Sequence, residues 1–139
     1  MKKRTGDVIV QKKSKTERQK LVKRLDDVFS LYIRERDKQS VFSGSMENLN
    51  CFHIFSRVSY STRWDEKNAF ASTNAENLIY EHDTYFQHQV HTWYIDKFGQ
   101  DQFDLLHVKW NKTTKFSNAD LKALIIYYQN KIKEVMKDV

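Results

Sequence analysis

At 139 residues the chain is long enough for one packed core and too short for two. Its 24 Lys and Arg against 18 Asp and Glu leave a net charge of +6 and a pI near 9.3, which favours an anionic partner, nucleic acid first. The single Cys51 excludes an intramolecular disulfide and suits a reducing compartment, and it reads most simply as a small buried apolar side chain on a strand. No apolar run approaches a membrane span, and Lys2-Lys3-Arg4 is followed only by Val8-Ile9-Val10, too little for an export signal. The expectation is a soluble, cytoplasmic protein.

Residues 1–15 read as a basic, flexible arm with a short strand at 8–10. Between positions 2 and 24, Lys2, Lys3, Arg4, Lys12, Lys13, Lys15, Arg18, Lys20, Lys23 and Arg24 face only Asp7 and Glu17. Such an arm is either a solubilising tail or a source of phosphate contacts, which give affinity without sequence preference. A long amphipathic helix is expected over 16–38, because Leu21, Leu25, Val28, Phe29 and Tyr32 recur at steps of three and four as a core stripe. Its Arg18, Lys20, Lys23 and Arg24 are candidate DNA contacts. Residues 39–50, rich in Ser, Gly and Asn, read as a loop turning at Gly44. Two strands follow, over 50–55 and 68–72, joined by a long irregular connection through Ser59-Tyr60-Ser61-Thr62. Asn74 is the expected N-cap of a helix starting near Ala75. Further helices are expected over 84–98, with Phe86, Val90, Trp93 and Ile95 inward and Gly99 as the stop, over 101–109, and from Ser117 to 136. Proline is absent, so nothing interrupts them. The fold class is α+β and mostly helical, with 16–139 as a single domain.

Three residues carry the functional reading. His53, Asn68 and Asn77 stand at the spacing His-x14-Asn-x8-Asn, the rhythm of the HNH or ββα-metal nuclease motif with Asn in third place. Around them lie Phe52-His53-Ile54-Phe55-Ser56-Arg57 and Thr62-Arg63-Trp64-Asp65-Glu66-Lys67-Asn68. In this order the segments resemble the phage NinG/Rap recombination endonucleases, and the lead-in helix and the tail from Trp93 resemble that family's flanking helices. The resemblance implies a hairpin-helix module in which a His activates water, a metal ligand sits beside it on the helix, and branched or structured DNA is cut. It also implies two Cys-x2-Cys pairs around a zinc ion, but Ser40, Ser43, Thr73 and Glu76 stand at those positions here. Hydroxyls do not replace thiolates on zinc, so no structural zinc is expected, and packing by Phe42, Phe52, Phe55, Trp64 and Phe70 is to hold the module instead.

On this reading His53 is the general base, and Asn68 holds either the His53 ring or the loop that carries it. Asn77, with Glu76, would ligate Mg2+ or Mn2+, the ion keeping most of its waters. Arg57 and Arg63 would grip the scissile phosphate, with Lys109, Lys112 and Lys115 as a further basic loop around Trp110. Each has a plainer alternative: a satisfied strand His, a turn-capping Asn, an ordinary first-turn Asn, surface pairs of the arginines with Asp65 or Glu66, and Trp110 as a core anchor. His88 and His91, three apart without a paired carboxylate, read as surface residues. Phe52 stands where many ββα-metal nucleases place a metal ligand. With the missing zinc cysteines it motivates a second function, a nuclease-derived module that binds DNA, or a protein of the phage or host such as a recombination protein, without cutting.

Overall fold

The computed structural model describes residues 14–137 in full and, before them, the backbone of two short strands, β1 (Lys2–Thr5) and β2 (Val8–Gln11). These strands pair antiparallel, Lys3 opposite Val10 and Arg4 opposite Ile9, so the arm carries a hairpin where a single strand was expected. The side chains of residues 1–13, and with them the expected contacts of the arm, lie outside the described residues.

Helix α1 (Glu17–Asp37) begins where the sequence places it. Thr16 accepts from the Gln19 N–H while the Gln19 side chain accepts from the Thr16 N–H, a reciprocal capping box. It stops at Lys38, whose φ of +65° takes the left-handed conformation and whose N–H returns to the Arg34 carbonyl. Leu25, Phe29, Tyr32 and Ile33 are buried along one face, against Leu121, Ile125 and Tyr128 of α6 (Asn118–Lys137). Each such apolar side chain contributes about 1.5–3 kcal/mol by leaving water. The start of α6 is set by Ser117, whose hydroxyl accepts from the Asp120 N–H while Asp120 accepts from the Ser117 N–H.

Strands β3 (Leu49–His53) and β4 (Ala69–Thr73) form the second hairpin, with Cys51 opposite Ala71 and His53 opposite Ala69. Their connection is not wholly irregular, because α2 (Tyr60–Arg63) forms one turn in it. Helix α3 (Asn74–His82) follows β4 directly. Its cap is Thr73 and not Asn74: Thr73 Oγ1 accepts from the Glu76 N–H, and Glu76 accepts from the Thr73 N–H at 2.8 Å. The Thr-x-x-Glu box satisfies two N–H groups at once, which Asn74 one position later would not do.

Asp83 caps α4 (Thr84–Phe98), and Gly99, at φ +91°, ends it before α5 (Gln100–Trp110). A second core forms here, from Phe52, Ile54 and Phe70 of the hairpin region against Val90, Tyr94 and Leu106. Fully buried Tyr94, with its hydroxyl donated to the Lys67 carbonyl at 2.9 Å, belongs to this core beside the expected Val90. The expected packing residues divide. Phe42, Phe52, Phe55 and Phe70 join the second cluster, whereas Trp64 belongs to the first, under α1. No helix among the described residues is long and apolar enough to cross a membrane.

Candidate functional site

A cleft of about 730 Å³ opens between α1, β3 and α3. Its walls bring together His53, Arg57, Arg63 and Asn77 from the sequence-level set, and add Asp26, Tyr80 and Glu81. His53 is the last residue of β3, so the strand presents its ring at the point where the hairpin opens into the 54–68 connection.

The His53 ring is fixed by one backbone group. Its Nε2 lies 2.9 Å from the Arg63 carbonyl oxygen, which can only accept, so Nε2 carries the proton and donates. Nδ1 is therefore the basic nitrogen, and it has no hydrogen-bond partner among the described residues. Burial pushes the imidazole pKa down to about 4; the bond to Arg63 opposes the fall and the nearby Arg57 charge adds to it. The ring is thus neutral at pH 7, half-buried and unprotonated on its free side.

Asn68 takes the loop and not the ring. It is fully buried, its Oδ1 accepting from the Phe55 N–H at 2.8 Å and its Nδ2 donating to the Phe55 and Thr62 carbonyls at 2.9 and 3.0 Å. One amide therefore pins both ends of the segment that carries Arg57 and leads into α2. The far side of that segment is tied to α5, since Trp110 Nε1 donates to the Ser56 carbonyl at 2.9 Å and Ser61 donates to the Lys109 carbonyl at 2.6 Å. The Trp110 ring lies 6.0 Å from that of Phe55, tilted by 34°, an anchor for this segment in the last turn of a helix and not the centre of a loop.

The cations of the set differ in what they are free to do. Arg63 is committed to Asp26 of α1, its Nε and Nη2 donating to the two carboxylate oxygens at 3.0 and 2.6 Å, and not to Asp65 or Glu66. Lys109 pairs with Asp65, Lys23 with Asp27, and Arg18 donates to the Phe116 carbonyl. Arg57 is exposed on the cleft and has no ion pair among the described residues, as is true of exposed Lys20, Arg24, Lys112 and Lys115 outside it. Asp26 was missed by reading the sequence, where it is one of two adjacent acids on α1. Its only signal is that it directly follows Leu25 of the core stripe.

Asn77 lies on the cleft wall, but Glu76 does not. The Glu76 carboxylate accepts from Ser40 Oγ at 2.6 Å and from the Thr73 N–H, and Ser40 Oγ in turn accepts from the Phe42 and Ser43 N–H groups at 3.1 Å each. Burial raises the Glu76 pKa, but the bonds from Ser40, Thr73 and Ser43 outweigh it and hold the carboxyl below its ordinary range. Ser40, Ser43, Thr73 and Glu76, which lie far apart in the chain, thus meet as a hydrogen-bonded knuckle. Glu81, one turn after Asn77 on α3, is the carboxylate that shares Asn77's wall, which the i, i+4 spacing would have signalled. Among the described residues no group of three or more His, Cys, Asp or Glu is placed to hold a metal ion. Of the carboxylates lining the cleft, Asp26 is bonded to Arg63 and Asp27 to Lys23, which leaves Glu81 beside the Asn77 amide on the α3 wall.

Other groups near the cleft are structural. Tyr80 donates to the Ile54 carbonyl at 2.7 Å and accepts from His91 Nε2 at 2.9 Å, tying α3 and α4 to the hairpin. Burial pushes the Cys51 thiol up to about 12, so it holds no thiolate at neutral pH. No family model matches the chain, and neither the curated proteins nor the solved structures contain a match to it.

Proposed function

We propose that the protein is a metal-dependent DNA endonuclease, with His53 taking the proton from the attacking water. The observation that carries this reading is the His53 ring itself, its Nε2–H spent on the Arg63 carbonyl and its Nδ1 left without a partner, in a residue that lines the same cleft as the unpaired Arg57. A phosphodiester drawn to Arg57 would lie beside that nitrogen. Water deprotonated there can attack phosphorus and displace the sugar oxygen, which leaves as an alkoxide and takes a proton from solvent water, while the guanidinium offsets the charge gathering on the phosphoryl oxygens. Asn77 and Glu81 would hold Mg2+ or Mn2+, which supplies Lewis-acid stabilisation of the phosphate oxygens. The preference for branched or structured DNA, and a place in phage recombination, come from the resemblance to the NinG/Rap endonucleases. The convergence of Ser40, Ser43, Thr73 and Glu76 supports that resemblance, because it joins the positions at which the family would carry its cysteines.

The test is nicking of junction and linear DNA under titration of Mg2+ and Mn2+, beside a gel-shift assay. His53→Ala is expected to abolish cutting and leave binding intact. Equal loss of both would assign the His a structural role. A second reading, a module that binds DNA or a recombination protein without cutting, is favoured by two observations. Phe52 is wholly buried where a ligand would be needed, and among the described residues no three His, Cys, Asp or Glu side chains are grouped so as to hold a metal ion. Binding without metal-dependent cutting would select it.

A further inference from the structure

The peptide group between Arg63 and Trp64 supplies the carbonyl that fixes the His53 ring, and the side chains on both sides of that peptide end on one carboxylate. Asp26 Oδ2 accepts from Arg63 Nη2 at 2.6 Å, and Oδ1 accepts from Arg63 Nε at 3.0 Å and from Trp64 Nε1 at 2.9 Å. The pair is mostly shielded, the Asp26 and Arg63 side chains being 17% and 16% exposed, so it is not a loose surface contact. The turn has four residues and no side-chain cap from Ser59, and while Asn68 holds the Thr62 carbonyl and Tyr128 the Trp64 carbonyl, Asp26 grips the side chains on both sides of the Arg63–Trp64 peptide. From these contacts we infer that Asp26 is a positioning residue: by clamping Arg63 and Trp64 it aims the Arg63 carbonyl at His53 Nε2 and so selects the imidazole tautomer with a free Nδ1.

The clamp is specific to a carboxylate. An amide at position 26 keeps one acceptor but turns an N–H₂ toward the Arg63 fork, donor against donor, so the bidentate pair is lost while the side-chain volume is kept. Released from it, the Arg63–Trp64 peptide can rotate, and the energy that separates the two neutral tautomers falls. The functional consequence rests on the proposed nuclease reading, since only a reaction that uses Nδ1 as a base would sense it. The structural consequence does not.

Long-range 1H–15N correlation spectra of the His53 ring in the whole protein read the tautomer directly, because protonated and unprotonated imidazole nitrogens resonate far apart. In the wild type one nitrogen of each kind is expected, with Nε2 the protonated one. In Asp26→Asn the two signals should converge as the tautomers mix, and nicking should fall roughly 10- to 100-fold in kcat without weaker DNA binding. Arg63→Lys and Trp64→Phe, which each remove one arm of the clamp, serve if Asp26→Asn does not fold, and smaller convergence is expected in both. An unchanged His53 tautomer in the folded variants overturns the inference, whatever happens to activity. A shifted tautomer in a protein whose wild type never cuts DNA leaves the clamp standing and removes the nuclease reading instead.

Discussion

Asn68→Ala tests the construction of the cleft without reference to activity. The side chain is fully buried, and its loss orphans three backbone groups, the N–H and C=O of Phe55 and the C=O of Thr62. A buried polar group left unpaired costs about 1–3 kcal/mol, and some of that returns if water enters the space vacated. A net destabilisation of about 4 kcal/mol is therefore expected. For a chain of this length that is a fall in Tm of roughly 15 °C. Urea unfolding at neutral pH, followed by tryptophan fluorescence and by far-UV circular dichroism, measures it. Asn68→Asp serves as a shape-preserving control. Its carboxylate can still accept from Phe55 N–H but faces two carbonyls, so it should be at least as unstable at pH 7 and recover relative to Ala as acid protonates it. A loss below about 1 kcal/mol in Asn68→Ala would refute the reasoning, because the amide would then be exchangeable for water.

The knuckle should depend on Ser40 and not on a metal. Ser40→Ala removes the acceptor for two N–H groups and a donor to Glu76, costing about 2 kcal/mol in urea unfolding, while chelator should change neither the wild-type transition nor the folded spectrum. Because the folded His53 pKa of about 4 lies below its ordinary 6.5, its contribution is complete above pH 6.5 and declines as pH falls toward 4, by up to about 3 kcal/mol. His53→Asn should flatten that stretch of the stability curve above pH 5, and a parallel curve for wild type and variant would contradict the shift. If the protein cuts DNA, kcat/KM should show no acid limb down to about pH 5, since it reports the free enzyme's base, and a limb near 6.5 would place His53 in water. Deleting residues 1–13 should weaken DNA binding to all sequences alike and flatten its salt dependence, and an unchanged slope would make the arm a solubilising tail.

Local patterns carried most of the fold. The stripe on α1, the stop at Gly99 and the Ser117–Asp120 cap are all written within one or two helical turns, and the elements follow them closely. The cap of α3 was equally legible, for Thr73 and Glu76 stand at capping-box spacing, but the acidic partner three residues on decides it rather than the Asn between them. α2 was not legible. It has no side-chain cap and is held from outside, by Asn68 at Thr62 and by Asp26 at Arg63 and Trp64. The site divides in the same way. His53 and Asn77 come from the spacing of the motif and Arg57 from the segment around His53, whereas Asp26 acts across 37 and 38 residues of sequence, and no local rule ranks it above Asp27 beside it.

The electrostatics of the cleft follow from that division. The hairpin-helix module brings His53 and two arginines, and α1 brings the acid that takes one of them out of play. With Arg63 neutralised by Asp26, Arg57 is the cleft cation left exposed to a ligand, next to an imidazole that burial and that same cation keep unprotonated. An anion bound to Arg57 would remove part of the charge that depresses His53 and add attraction for a proton on Nδ1, so on the proposed reading the base would strengthen once a phosphate is in place. A free protein whose His53 is a poor proton acceptor is therefore consistent with a competent one in complex. On the proposed reading Asp26 would contribute twice, by cancelling a cation that would compete with Arg57 for the phosphate and by holding the carbonyl that keeps Nδ1 free.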